Sequence, residues 1–589
     1  MTGDPVPVDR PEGVGAPFLG WGSDAIAALL RRLDLGWVAL NPGASYRGLH
    51  DSLVNYLGNR DPAMLLTLHE ESAVAIAHGY AKVAGRPMAV ILHSNVGLMH
   101  GTMAIFNAWC DRVPVLVLGA TGPVDAARRR PWIDWIHTAQ DQGALVRHYT
   151  KWDNQPASVP AALEALLRAN QLMRTAPRGP VYVCLDAALQ EAALTEPVEI
   201  PDPARFQPGP PPAPEPDTVQ RAAEWLSGAR RPVILAGRVS RRADDWDRRV
   251  RLAEALGARV LTDLKVGAAF PTRHPLHTGA PGHVLSDAGR AALREADVVL
   301  SLDWLDLAGT LRLACGSDPG RVIHGSLEAY VANGWSMDHQ GLPPADLPIL
   351  CEPDTLVAAL LAQLSPRVAL APRAPAPAPV PVSRTDGAIG LRELAGSLAE
   401  ALGDRPACLI RLPLGWPGDT CAFAGPLDYL GTEGGAGLGA GPGMTVGAAL
   451  ALRDSGRLPV AVLGDGDYLM GVTALWTAAH YRIPLLVVVA NNRSYYNDEM
   501  HQERVARARG RPVENKWIGQ RLDEPAIDLA AMARAQGLEA DGPVRDLGEL
   551  PKALVRAIAA VEAGQSYVLD VVVSPGYTGE VLGAAVERR

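Results

Sequence analysis

Apolar runs bounded by turn residues alternate along the chain with segments of helical period. In the first third the runs are "WVALNPG", "PMAVILHS", "VPVLVLGA" and "GPVYVCLD", and "EESAVAIAHGYAKVAG" is one of the helical segments between them. The middle carries "RPVILAG", "ARVLTD" and "ADVVLSLD", and the last third "LPVAVLGDG", "IPLLVVVANN" and "SYVLDVVV". A half-exposed strand alternates polar and apolar residues. Runs that are apolar throughout belong to parallel sheets covered on both faces by helices. The pattern predicts an α/β fold of three consecutive doubly wound parallel-sheet domains.

Two proline-rich stretches, Glu196 to Asp217 and Ala371 to Gly387, interrupt the alternation. Such composition favours extended chain that cannot pack a core, so both read as linkers. The expected domains are residues 1–195, 218–368 and 386–589. A chain of 589 residues is too long for one ordinary domain, in agreement with that division.

Composition excludes several function classes. The formal net charge is −9 and no basic run stands out, so nucleic acid and anionic membrane surfaces are not expected partners. No apolar stretch is long enough to span a bilayer, and "MTGDPVPVDRPEG" lacks the pattern of a secretory leader. Six cysteines without C-x-x-C spacing argue against a zinc site or disulfide framework and for a reducing, cytoplasmic setting.

Candidate chemistry begins where "PVAVLGDGDYLMG" runs into Gly464-Asp465-Gly466, with a second acid, Asp467, behind. A helix, "YLMGVTALWTAAHYR", and a strand, "IPLLVVVA", follow, and then Asn491-Asn492. This is one βαβ unit, whose parallel strands bring both polar groups to the carboxyl edge of a sheet, where open α/β sheets bind ligands. Asp465 and Asn492 then offer two oxygens to one hard cation, and a backbone carbonyl just past them, at Ser494, completes the protein share. A glycine-flanked acid alone is equally a tight turn, and a lone Asn-Asn is more often a loop. The specificity lies in the pair and its spacing.

This pair resembles the signature of thiamine diphosphate-dependent enzymes of the acetolactate synthase, benzoylformate decarboxylase and pyruvate decarboxylase group. The resemblance extends over nearly the whole chain and implies pyrimidine-binding, central and diphosphate-binding domains in that order. It implies thiamine diphosphate and Mg2+ as cofactors, with Asp465, Asn492 and Ser494 at the metal. Gly464, Gly466, Asp467 and Tyr495 are then expected beside the diphosphate. In "TLHEESAVAIAHGYAKVAG", Glu70 stands where the family carries the glutamate that activates the aminopyrimidine. In "GTEGGAGLGAGPGMTVGAAL", Leu438 falls at the position of the apolar side chain that bends the cofactor, with Ala436 beside the pyrimidine edge. The family builds its site between subunits, which implies a homodimer or homotetramer.

Segments such as "LHSNVGLMHGTMAIFNAW" resemble the benzoylformate decarboxylase type, and His93 falls on that group's active-site histidine. Two departures stand out. Ala44 follows Asn41-Pro42-Gly43 where that group has a carboxylate-binding serine, and its second histidine has no counterpart in the central domain. Thr138 replaces the acetolactate synthase glutamine. Ala44, His93, Tyr496, Asp498 and His501 are the residues expected around the substrate. The tract from Glu503 to Arg511 is expected to be a solvated loop. The central block lacks a clean G-x-G-x-x-G, so no flavin is expected there.

The implied function is that of a lyase or carboligase acting on a 2-oxo acid. Carbon dioxide leaves a cofactor-bound enamine, which is protonated to an aldehyde or joined to a second carbonyl to give a 2-hydroxy ketone. With one histidine position empty, ketone formation is expected alongside aldehyde release. The alternatives are an acetolactate synthase-like carboligase, an enzyme cleaving carbon–carbon bonds in diketones, and an inactive cofactor-binding scaffold.

Overall fold

The structure, a computed structural model, describes residues 8–14, 18–316, 319–331, 341–364 and 387–576. The second proline-rich stretch lies almost wholly outside them. The first sheet contains β1 (Trp37–Leu40), β2 (Ala63–Leu66), β3 (Met88–Leu92), β4 (Val115–Thr121), β5 (Asp153–Asn154) and β6 (Val181–Asp186), in the order β2-β1-β3-β4-β6-β5. The second contains β7 (Pro232–Ala236), β8 (Arg259–Leu261), β9 (Val298–Leu302), β10 (Arg321–Gly325) and β11 (Leu347–Ile349), ordered β11-β10-β9-β7-β8. The third contains β12 (Ala407–Arg411), β13 (Leu458–Gly464), β14 (Leu485–Asn491), β15 (Glu539–Val544) and β16 (Ser566–Val572), ordered β12-β13-β14-β16-β15. Every strand pairing between these elements is parallel.

The apolar runs of the sequence form the central strands, and β3, β4 and β14 are buried at every residue. The strands that pattern alone missed are short or polar. "EADGPV" of β15 lies at a sheet edge, where one side needs no apolar cover.

The first and third domains share one apolar core. It is built where the helix Glu70–Ala84 crosses the helix Ala440–Leu452. Gly79, Gly443 and Gly447 make that crossing possible. A methyl group on Gly79 would overlap the Met444 carbonyl, and one on Gly447 the Ile76 carbonyl. The central domain has apolar clusters of its own and is tied to the first by charge. Arg112 reaches Asp303 at 2.8 Å, and Arg238 contacts the same carboxylate at 3.2 Å.

Two local expectations are corrected. The single helix read after Gly464 is two, Asp465–Gly471 and Ala474–His480, so Asp465 opens a helix instead of sitting in a turn. The charged tract after the Asn-Asn pair is also helical, Tyr496–Ala508, and Glu503 pairs with Arg507 one turn on at 2.6 Å and with Lys516. Only Arg509 to Arg511 of the expected loop falls beyond that helix.

Candidate active site

β13 and β14 are direct neighbours, with Gly464 opposite Ala490. Their ends therefore place Asp465 beside Asn492. Asp465 Oδ1 accepts the Gly466 N–H at 3.0 Å. The Ser494 N–H lies 3.2 Å from Asp465 Oδ2 and 2.9 Å from Asn492 Oδ1, so two side-chain oxygens from adjacent strand ends share one donor. The Asp465 carboxyl is buried, and among the described residues no cationic side chain pairs with it. Burial raises its pKa to about 6, against the opposing pull of the backbone donors. A buried acid with convergent oxygens and no counter-charge fits a hard divalent cation. A side chain at Gly464 would enter open space, leaving room for a ligand, whereas a Cβ on Gly466 would come within 2.5 Å of the Tyr495 ring. Tyr495 thus roofs the glycine that the sequence placed at the diphosphate.

The loop bearing Ser494 is pinned from behind. Ser494 Oγ donates to Glu499 Oε1 at 2.6 Å, and the Tyr495 N–H donates to the Gln520 carbonyl at 3.0 Å. Glu499 is buried, while Asp498 and His501, expected over the substrate, lie on the exposed side of their helix in this chain. Tyr496 is half-buried at that helix's first turn.

Asp467 behaves differently from Asp465. Its Oδ1 accepts the N–H groups of Gly439, at 2.7 Å, and Gly441, at 3.2 Å, at the start of the Ala440–Leu452 helix. Its Oδ2 accepts Arg411 Nε at 2.8 Å, and Arg411 also pairs with Glu433. These protein donors take up the carboxylate that sequence reasoning grouped with the cofactor residues. The glycine-rich loop before this helix lies against the helix Ser94–Cys110: the Gly437 N–H reaches Asn107 Oδ1 at 3.3 Å, and Ala436 adopts φ +55°. Leu438 leaves 41% of its surface exposed, an unusual state for a leucine beside a shared core.

In the first sheet the candidate groups occupy the carboxyl ends of four successive strands, β2, β1, β3 and β4. The chain reverses direction of growth between β1 and β3, which is where such sheets open a crevice. Glu70 follows β2 as the first residue of its helix, and His69 caps that helix by accepting the Glu71 N–H at 3.2 Å. Glu70 is buried, and its Oε2 lies 3.0 Å from His100 Nδ1. Gly97 lets the neighbouring helix approach: a Cβ there would be 3.1 Å from Glu70 Oε1.

His93 follows β3. Its Nδ1 is 2.9 Å from Ser45 Oγ, and its ring meets His137 edge-on with centroids 4.8 Å apart. Burial lowers the His93 pKa, as does His137, while Glu70 raises it. Ala44, the expected substrate neighbour, is exposed in this chain, and the adjacent Ser45 is buried against the histidine. Ser45, His100 and His137 were missed from sequence. His137 stands in "WIHTAQDQ" beside the Thr138 already singled out, but nothing in the local pattern says that it meets His93.

Comparison with known proteins agrees with this arrangement. Models of the amino-terminal, central and carboxyl-terminal domains of thiamine pyrophosphate enzymes match residues 20–146, 219–309 and 415–571. A benzoylformate decarboxylase of Pseudomonas aeruginosa is 28% identical, over 90% of this chain and 95% of its own. A probable acetolactate synthase large subunit of Methanocaldococcus jannaschii is 24% identical, over 94% and 92%. Among solved structures, the benzoylformate decarboxylase of Polynucleobacter necessarius superposes with a TM-score of 0.79 at 20% identity, covering 95% of this chain and all of its own, and so shares the fold. With its three domains matched in chain order, and with a glutamate-bearing first sheet packed against a third sheet that ends in Asp465 and Asn492, this chain belongs to the family of thiamine diphosphate-dependent enzymes.

Proposed function

We propose that this protein is a thiamine diphosphate- and magnesium-dependent lyase or carboligase that acts on a 2-oxo acid. The observation that carries the reading is the convergence of the Asp465 and Asn492 oxygens at adjacent strand ends, around a buried carboxyl with no counter-cation among the described residues. Relatives named benzoylformate decarboxylase and acetolactate synthase support the substrate class.

When bound, the cofactor supplies a nucleophilic carbon that takes up the electron pair released as carbon dioxide departs. The residues of this chain supply the remainder. The side chains of Asp465 and Asn492 and the Ser494 carbonyl hold the magnesium ion, while Gly464 and Gly466 leave room for phosphate oxygens. Glu70 holds a proton at the ring nitrogen of the pyrimidine, and its burial beneath the Ser94–Cys110 helix keeps bulk water from that proton. The exposed Leu438 presents an apolar face against which the cofactor can bend. The working unit is at least a homodimer, a reading supported by the family resemblance and by the exposed Met99 and Met470, apolar side chains that a second subunit would cover.

A panel of 2-oxo acids assayed for carbon dioxide release, with and without an acceptor aldehyde, tests the reading. Release that depends on both thiamine diphosphate and magnesium is expected. No release from any acid would overturn it. The ratio of 2-hydroxy ketone to free aldehyde at high acceptor concentration separates carboligase from decarboxylase.

A further inference from the structure

The sequence places His93 at the end of a first-sheet strand and His501 beyond the Asn-Asn pair, whereas the structure brings four imidazoles, His69, His93, His100 and His137, to one edge of the first sheet. His69 and His100 stack with centroids 5.0 Å apart, next to Glu70. His93 and His137 form the second pair, from the ends of β3 and β4, and Ser45 at the end of β1 joins them. In the first group a ring nitrogen of His100 is bonded to the Glu70 carboxylate, whereas in the second a hydroxyl lies at hydrogen-bond distance from a ring nitrogen of His93.

We propose that His93 and His137 act as one acid–base pair that delivers the proton to the acyl carbon once carbon dioxide has left, with Ser45 anchoring Nδ1 of His93. The inference rests on the function proposed above. Ser45 Oγ already accepts the Ser94 N–H at 3.1 Å, and its remaining capacity faces His93 Nδ1 at 2.9 Å. With Nδ1 held there, the exchangeable proton of His93 is on Nε2. The position is enforced by Gly43, where any side chain would overlap the His93 ring.

The transfer balances simply. The N–H bond at Nε2 of the His93 imidazolium breaks, a C–H bond forms with the electron pair on the acyl carbon, and neutral His93 regains a proton from His137 or water. Two imidazolium rings in edge contact repel, so a positive charge on His137 opposes one on His93. The charged groups acting on His93 are His137, Glu70 and Arg130. Arg130 is itself held by Asp134 through Nη2 at 2.8 Å. Glu70 favours the charged ring, whereas His137 and Arg130 oppose it.

The pair gives His137 a role in the partition between products, because rapid protonation favours aldehyde over ketone. His137 acts here as a positioning and proton-sharing residue for His93.

The test uses the holoenzyme and the variants His137→Gln and Ser45→Ala. Aldehyde release should fall about tenfold or more in each. Carbon dioxide release should stay near the parental rate when a dye oxidant replaces the proton as the electron-pair acceptor. In His137→Gln the limb of the pH–rate profile that reports His93 should move to higher pH, since a competing positive charge is gone. Unchanged aldehyde rates and an unchanged profile in both variants would overturn the proposal.

A readout independent of turnover separates this failure from failure of the proposed function. Titration of isotope-labelled histidine side chains by NMR in the cofactor-free protein should show His93 taking up its proton at higher pH in His137→Gln than in the parent. Identical titration in the two proteins would dissolve the pair, whatever substrate the enzyme uses.

Discussion

Asp467 and Arg411 form a buried ion pair, Oδ2 to Nε at 2.8 Å, while Asp465, two residues earlier, has no cationic partner among the described residues. The two acids therefore have separate jobs. Removing Asp467 strips two backbone donors and one guanidinium of their acceptor inside the protein. Asp467→Ala should lower the stability of the cofactor-free protein by about 3–5 kcal/mol. Asp465→Ala should leave that stability intact or raise it, and should abolish retention of magnesium and thiamine diphosphate. Denaturant unfolding of both apo variants and equilibrium dialysis of the cofactor check the pair. Full activity after chelation without added magnesium would remove Asp465 from the metal.

Glu70→Gln retains the shape of the side chain and loses its acid. Cofactor binding should persist, and hydrogen–deuterium exchange at the thiazolium carbon should slow by about 10²-fold or more. Quenched-flow NMR of the bound cofactor measures it directly. Exchange at the parental rate would mean that another group activates the cofactor.

The helix crossing between the first and third domains has no room for a methyl group. Gly79→Ala and Gly447→Ala should each cost roughly 3 kcal/mol or more, because the added carbon meets a carbonyl of the partner helix that cannot rotate away. Gly396→Ala, with nothing near its Cβ, serves as the control. Comparable denaturant midpoints for all three would show that the crossing relaxes freely.

Acid should destabilise the central domain through its buried histidines. Burial pushes His277 and His283 down to about 4, and His277 accepts or donates a neutral hydrogen bond with Thr262 Oγ1 at 2.9 Å. Below the ordinary histidine pKa of 6.5 the unfolded chain binds protons that the folded chain refuses, so stability is full above pH 6.5 and declines as pH falls toward 4. Unfolding followed at pH 7.5, 6 and 5 should show the decline, and His283→Gln should flatten it. Equal stability across that range would exclude the burial effect.

Particle mass in solution checks the assembly. Light scattering should report at least a dimer, and substitution of Met470 by lysine should shift the protein toward monomer with loss of activity. A fully active monomer would place the complete site within one chain.

Much of the site could be read without a structure because its chemistry is carried by short stretches. Gly464 to Gly466 and Asn491-Asn492 each follow a strongly apolar strand, so their place at a sheet edge follows from the strand pattern alone. Glu70 announces itself by opening a helix of clear period. The loop after Asn41-Pro42-Gly43 was less legible, because neighbouring residues around a tight turn point to different sides, and Ser45 next to Ala44 is the one that meets His93.

The sequence by itself determined three parallel-sheet domains, the sheet edges at which the candidate groups lie, and the placing of Asp465 and Glu70 in different domains. Those features depend on local period and on the right-handed crossover of a βαβ unit, both written within some tens of residues. Tertiary structure alone decided which neighbours each group keeps: that Asp467 is consumed by Arg411 and a helix end, that Glu499 turns inward to Ser494, and that His137 rests on His93. Such pairs join residues far apart in the chain, and their contact depends on strand order and close packing, which no local pattern records.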